Sequence, residues 1–261
     1  MKTIDTHAHL QVDAYDADRD EVIKRTLAAD ITCINVGTSF ETSKKAVELA
    51  QKHDSFYAAI GLHPTDVDEP FDAQQYRGLA KSKKVVAVGE IGLDYFRPPF
   101  DKEKQKQVFL QQLDLARELN LPVILHCRMA HEDVIDILKS QTPMTNSQLR
   151  GVVHCFTGTL EQAKKYVELG FYLGMNGIMF KFPLEEVIKN IPLEHLLLET
   201  DCPYLTPLPA VALAKAGAHG HIRNEPIFMS YTIQKIAELK NISIEEVATK
   251  TTENAKKLFG V

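Results

Sequence analysis

The chain has 261 residues, 44% of them hydrophobic and 25% charged, an ordinary make-up for a globular protein and enough length for one full core. Its formal net charge of -5 excludes a broad basic surface, and with it tight nonspecific binding to duplex nucleic acid. No apolar run approaches the roughly 18 residues of a membrane span, and no charged-then-apolar leader precedes the first strand-like run, so a cytoplasmic location without membrane contact is expected.

Short apolar runs alternate with longer amphipathic ones along the whole chain. Thr3 to His9 is the first strand. Residues i and i+2 of a strand face one side, so His7 and His9 aim two imidazoles the same way, and imidazole is the commonest metal ligand. A polar helix follows, with Val22, Ile23 and Leu27 on one face, then the strand Ile31 to Val36. Thr38 to Glu41 has the T-x-x-E form of a capping box and opens a helix carrying Ala46, Val47, Leu49 and Ala50. The third strand, Phe56 to Leu62, ends in His63-Pro64. The fourth, Lys84 to Gly89, is followed at once by Glu90.

Residues 102 to 119 form the longest helix, with Phe109, Leu113 and Ala116 at helical spacing. Pro122 to Leu125 is a fifth strand, ending in His126, and a helix with Val134, Ile137 and Leu138 follows. After a polar loop at Pro143 to Gln148, Val152-Val153 is a sixth strand, ending in His154. Thr159 to Gln162 is a second capping box. Phe171 to Met175 and Leu196 to Leu198 are strands seven and eight, the last running out through Glu199-Thr-Asp201. A loop from Pro203 to Pro226 leads to two closing helices, the second capped by Ser243 to Glu246.

Eight strand-helix repeats with little alternation inside the strands argue for a parallel sheet buried on both faces. In one domain, residues 1–261, this predicts an α/β fold of the (β/α)8 barrel type. An open doubly wound sheet is the alternative, but no glycine-rich dinucleotide fingerprint follows the first strand.

In such a barrel the carboxyl ends of all strands meet on one rim. Strand one ends in His7 and His9, three in His63, four in Glu90, five in His126, six in His154 and eight in Asp201. Any one of these can be a loop or helix cap; five histidines and two carboxylates on one rim make a metal site the better reading. Two ions fit the ligand count, with His7, His9 and Asp201 on one, His126 and His154 on the other, and Glu90 bridging. Such a pair acidifies water and stabilises both the attacking and the leaving oxygen. Asp201 can accept the water's proton. The imidazole-rich shell favours zinc, manganese, iron or nickel over tightly held magnesium. Asp5 and Glu199 fall one layer below, Asp5 as a structural group, Glu199 either orienting a ligand or helping proton transfer. The four cysteines, Cys33, Cys127, Cys155 and Cys202, lack C-x-x-C spacing and are expected as reduced thiols. Alternation turns Cys127 and Cys155 away from the rim into the helix-facing core.

The stretches Asp5-Thr-His-Ala-His9, Gly61-Leu-His-Pro64, Gly89-Glu-Ile-Gly-Leu-Asp94, Pro122-Val-Ile-Leu-His126, His154-Cys-Phe-Thr-Gly158, Glu199-Thr-Asp-Cys-Pro-Tyr204 and Arg223-Asn-Glu-Pro226 together resemble the TatD family of metal-dependent hydrolases, within the amidohydrolase superfamily. The resemblance runs from end to end in the family's order. It implies a barrel with two divalent ions, one on His7, His9, Glu90 and Asp201, the other on Glu90, His126 and His154. Glu90 stands where many amidohydrolases carry a carbamylated lysine. The family includes deoxyribonucleases, often attacking from the 3′ end, and some D-aminoacyl-tRNA deacylases.

The expectation is a metal-dependent phosphodiesterase acting on DNA single strands or ends, with no protein partner implied. Hydrolysis at carbon, as in a D-aminoacyl-tRNA deacylase, is the second reading, and a non-catalytic barrel the third. Glu90, Asp201, His63 and Glu199 are the candidate catalytic residues. His63, Arg223 and Arg128 are candidates to hold phosphate, arginine by its two-pronged donor.

Overall fold

The eight strands of the computed structural model form one parallel sheet whose order in space is their order in sequence. Residues 2–96, 98–141, 149–207 and 223–261 are described. The strands are β1 (Thr3–Ala8), β2 (Ile31–Val36), β3 (Phe56–Ile60), β4 (Val85–Asp94), β5 (Val123–Arg128), β6 (Gly151–Val153), β7 (Phe171–Met175) and β8 (Leu196–Leu198). Beyond β8, the Asp201 amide donates to the His7 carbonyl (2.8 Å) and the His9 amide to the Cys202 carbonyl (2.9 Å). With the Ala8–Cys202 bridge, these bonds join the last strand to the first and close the barrel. Closure leaves no sheet edge exposed.

Helices cover the outside: α1 (Arg19–Ala28), α2 (Phe40–Lys52), α3 (Ala73–Leu79), α4 (Lys102–Leu119), α5 (His131–Ser140), α6 (Leu160–Glu168), α7 (Glu185–Asn190), α8 (Met229–Lys240) and α9 (Ile244–Phe259). The span predicted for α4 matches residue for residue, because Asp101 caps its start and Asn120, in the left-handed region, ends it. The cap of α2 lies one residue later than the T-x-x-E pattern suggested: Ser39 accepts from the Thr42 amide and Thr42 reaches back. The Thr159–Gln162 box forms as expected, whereas Ser243 caps α9 in one direction only. The polar loop at 143–148 lies outside the described residues.

One apolar cluster takes a residue from every strand, from Ile4 of β1 to Leu197 of β8. Side chains from all eight strands can meet only inside the barrel. Ala255, Leu258 and Phe259 of α9 join this cluster, so the C-terminal helix plugs the end opposite the strand termini. The larger cluster fills the layer between sheet and helices. The barrel is therefore solid below, and its polar interior lies at the other end. No helix among the described residues is long and apolar enough to cross a membrane.

Candidate metal centre

The end of β1 places the Nε2 atoms of His7 and His9 3.0 Å apart, both rings buried. His9 Nδ1 lies 2.7 Å from the Val36 carbonyl. A carbonyl only accepts, so Nδ1 carries the hydrogen and Nε2 keeps its lone pair facing His7. Glu90 Oε2 stands 3.3 Å from His7 Nε2, and Asp201 Oδ1 3.4 Å from His9 Nε2 and 3.8 Å from His7 Nε2. Donors about 2.0–2.1 Å from a tetrahedral ion are about 3.4 Å from one another. The four separations given, among atoms drawn from β1, β4 and the end of β8, bracket that spacing.

The other oxygen of Glu90 serves a second cluster. Oε1 is 2.7 Å from His126 Nδ1 and 3.6 Å from His63 Nε2. His126 Nε2 lies 2.9 Å from Asp94 Oδ2, so the ring is held between two carboxylates with Nδ1 facing Glu90. His63 Nδ1 accepts from the Thr65 amide, so its hydrogen sits on Nε2, 3.1 Å from His126 Nδ1. His63 thus faces the cluster as a proton donor. Metal-capable groups form around His7, His9 and Asp201, around His7, His154 and Glu199, and around His63, Glu90 and His126.

His154 links the two. Its Nε2 is 3.8 Å from both Glu90 Oε1 and Asp201 Oδ1, and its ring stacks on His7 at 3.5 Å. On the far side Nδ1 lies 2.9 Å from Glu199 Oε1, a close ionic contact that lacks hydrogen-bond alignment. Glu199 is wholly enclosed and accepts from the Cys155 amide (2.7 Å) and Asn176 Nδ2 (2.9 Å). Its Oε2 and the Nδ1 of His7 have no hydrogen-bond partner. A Cβ on Gly174 would sit 2.3 Å from Oε2, so the space for this carboxylate depends on a glycine. Enclosure suits Glu199 to orienting His154 rather than to meeting substrate.

Burial, reinforced by the neighbouring His154, drives the pKa of His7 down to about 4. Burial opposes charge on His154 as well, but Glu199 and Asp201 outweigh it and push its pKa up to about 10. Glu90 is held well below the carboxylate range, His63 and His7 overcoming the cost of burial. Asp201 is lowered in the same way by His154 and His9. Burial likewise works against a charged His126, and its bonds to Asp94 and Glu90 raise it.

Asp5 fastens the β1–β8 seam, accepting from the Thr200 amide and hydroxyl and from the His7 amide. Cys127 points to the helix layer as expected, with Sγ 3.2 Å from His131 Nδ1 and 3.7 Å from Tyr166 Oη. Cys155 does not. The chain leaves β6 at Val153 and turns left-handed at Cys155 (φ 45°), so strand alternation no longer applies. Its Sγ lies 3.7 Å from Asn176 Oδ1, and burial together with Asp201 and Glu199 keeps it a thiol.

Arg223 donates to the Ala14 carbonyl (2.6 Å) and Asp18 (2.7 Å) and lies over the Tyr15 ring. Arg128 is exposed, its guanidinium 3.6 Å above the centre of the Phe96 ring. Sequence reasoning passed over Asp94 and Asn176. Asp94 shares strand parity with Glu90 and could have been found that way. Asn176 sits at a strand end but is not a metal-ligand type, so no rule drew the eye to it.

Paired clusters of imidazole and carboxylate, sharing one glutamate at the carboxyl rim of a parallel barrel, are the apparatus of a metal-dependent hydrolase. The family model described as TatD related DNase matches residues 4–260, and the chain belongs to the TatD family of metal-dependent hydrolases. It is 43% identical to the uncharacterized metal-dependent hydrolase YabD of Bacillus subtilis, covering 98% of both chains. It is 36% identical to the 3'-5' ssDNA/RNA exonuclease TatD of Pantoea ananatis, over 98% of this chain and 99% of that one. Among solved structures it resembles YJJV, a TatD homologue from Escherichia coli, with a TM-score of 0.87 and 32% identity over 99% and 98% of the two chains.

Proposed function

We propose that this protein hydrolyses phosphodiester bonds at free ends of single-stranded nucleic acid, DNA foremost, with two divalent ions. The observation that carries the reading is Glu90, whose two oxygens face two separate donor clusters. In this reading His7, His9, Asp201 and Glu90 would hold one ion, and Glu90, His126 and His154 the other. Bound ions would supply an acidified water and stabilise charge on the attacking and leaving oxygens. Asp201 lies at the mouth, partly open to solvent, which supports giving it the proton of an attacking water. His63 presents Nε2–H at the edge of the second cluster, a donor that a phosphate oxygen could take in this reading. The relative from Pantoea ananatis, named as a 3'-5' exonuclease on single strands, supports attack from the 3′ end.

The test is a side-by-side product analysis. Purified protein with manganese receives end-labelled single-stranded DNA, the same strand as duplex, and a charged D-aminoacyl-tRNA. Single nucleotides or short products released from the 3′ end of the single strand are expected. Deacylation of the tRNA with intact DNA would replace this reading by hydrolysis at carbon.

A further inference from the structure

Six large apolar side chains are exposed among the described residues: Leu27, Phe96, Met129, Phe182, Tyr204 and Ile244. Their positions are not scattered. Phe96 follows β4, Met129 follows β5, Phe182 follows β7 and Tyr204 follows β8. These four stand beyond the carboxyl ends of strands, on the rim that carries the metal centre. In a closed ring of eight strands, the β4–β5 pair lies opposite the β8–β1 seam. The rim therefore has two apolar poles. At one, Phe96 and the Arg128 guanidinium stack 3.6 Å apart, with Met129 next in the chain and 70% exposed. At the other, Tyr204 is 56% exposed and its ring meets the edge of His9 at 6.0 Å. Glu90 and His126 come from the first side, and His7, His9 and Asp201 from the second, so the donor clusters lie between the poles.

We propose that Phe96 with Arg128 at one pole, and Tyr204 at the other, are stacking platforms for the nucleobases of a single strand laid across the metal centre. The proposal rests on the nucleic-acid reading above. Aromatic rings and guanidinium planes stack on any base, and an unpaired strand offers those faces while a duplex hides them. With a net charge of -5 the chain has no overall positive charge to draw in a long strand by its phosphates. Stacking supplies a grip on the bases that does not depend on that charge. Rings that are costly to expose to water stand where those bases would lie. Binding is sequence-tolerant in consequence, and selects single strands over duplex without reading base edges.

The test is a cycle between side chain and base. Oligonucleotides carrying 2-aminopurine near the 3′ end, and matched strands with an abasic residue there, are titrated against the full chain with chelator present and, separately, with manganese. Phe96→Ala, Tyr204→Ala and Tyr204→Phe are compared with the parent, metal content being measured for each. One stacked base corresponds to about 5- to 150-fold in affinity. Removing that base should weaken parent binding by such a factor. Phe96→Ala or Tyr204→Ala should lose a similar factor on the intact strand and little more on the abasic one, while Tyr204→Phe keeps parental affinity. Should Tyr204→Ala lose metal, Phe96→Ala still decides, since its bond to Asp94 runs through the backbone amide, which the substitution keeps. Equal binding of intact and abasic strands by the parent, or unchanged binding by both alanine variants, overturns the proposal. A protein that discriminates bases without cutting DNA would uphold the platforms and sink the nuclease reading. Cutting without discrimination would do the reverse.

Discussion

Glu90 is the residue both clusters share, with one oxygen 3.3 Å from His7 and the other 2.7 Å from His126. Glu90→Gln removes the charge but keeps the shape, so the barrel should remain folded while turnover falls by several powers of ten. Circular dichroism, metal content and turnover measured together check this, and near-normal turnover of a folded variant would exclude the shared role. A subtler test lies behind His154. Gly174→Ala puts a methyl 2.3 Å from Glu199 Oε2 and must displace a carboxylate that contacts His154. Loss of such outer support lowers metal affinity by about 10- to 100-fold, measurable by competition with a chelator. Affinity equal to the parent's would show that Glu199 does not position His154. His131 gives a stability test away from the ions. Burial lowers its pKa from 6.5 to about 4, and its Nε2 has no partner. The unfolded chain therefore binds a proton that the folded chain refuses between these values. The stabilising contribution is full above pH 6.5 and lost as pH falls through about 4, on the order of 3 kcal/mol in all. His131→Leu should flatten that part of the acid limb in metal-free urea titrations at pH 7 and pH 4.5. An identical slope in both proteins would refute the buried neutral histidine.

At the scale of elements, a strand or helix was legible wherever local rules acted alone. The α4 span followed from periodicity, and the structure adds the two caps that end it; the metal-ligand candidates followed from which residue types stood at strand ends. The misreadings fall where a tertiary bond or a backbone turn overrides a local pattern. Thr38 satisfied the capping-box spelling, yet Ser39 became the cap because Thr42, rather than Glu41, reached back. Ser39→Ala should cost about 1 kcal/mol and Thr38→Ala distinctly less, as read by thermal melts; the reverse order would put the helix start back at Thr38. Cys155 was read by alternation, which ends with β6 two residues earlier. The bonds of Arg223, a candidate to hold phosphate, were not legible because Asp18 and the Ala14 carbonyl lie 205 and 209 residues away in sequence. No spacing rule reaches that far. The same holds for Asn176, which matters only because β7 and β8 lie side by side and bring it to Glu199.

For the whole molecule, the decisive quantity is how many phosphates the rim can neutralise. Among the described residues Arg223 is bonded to Asp18, while Arg128 is exposed beside the centre and stacks on Phe96. Each phosphate neutralised on a single strand contributes about -0.7 to the slope of log affinity against log salt. Two such contacts, one at the ions and one at Arg128, give a slope of roughly -1.4. Arg128→Ala should bring it to about -0.7 while weakening all sequences alike. Arg223→Ala should instead leave the slope where it was and lower stability, because its loss unties the β1–α1 connection from the segment that follows β8. Activity on closed circular duplex should be poor, because it offers no end and hides its base faces. Titrations of a labelled oligonucleotide from 50 to 300 mM salt measure the slope directly. A value near -6, or a change of slope in Arg223→Ala larger than in Arg128→Ala, would mean that phosphates are tracked along a surface other than this rim.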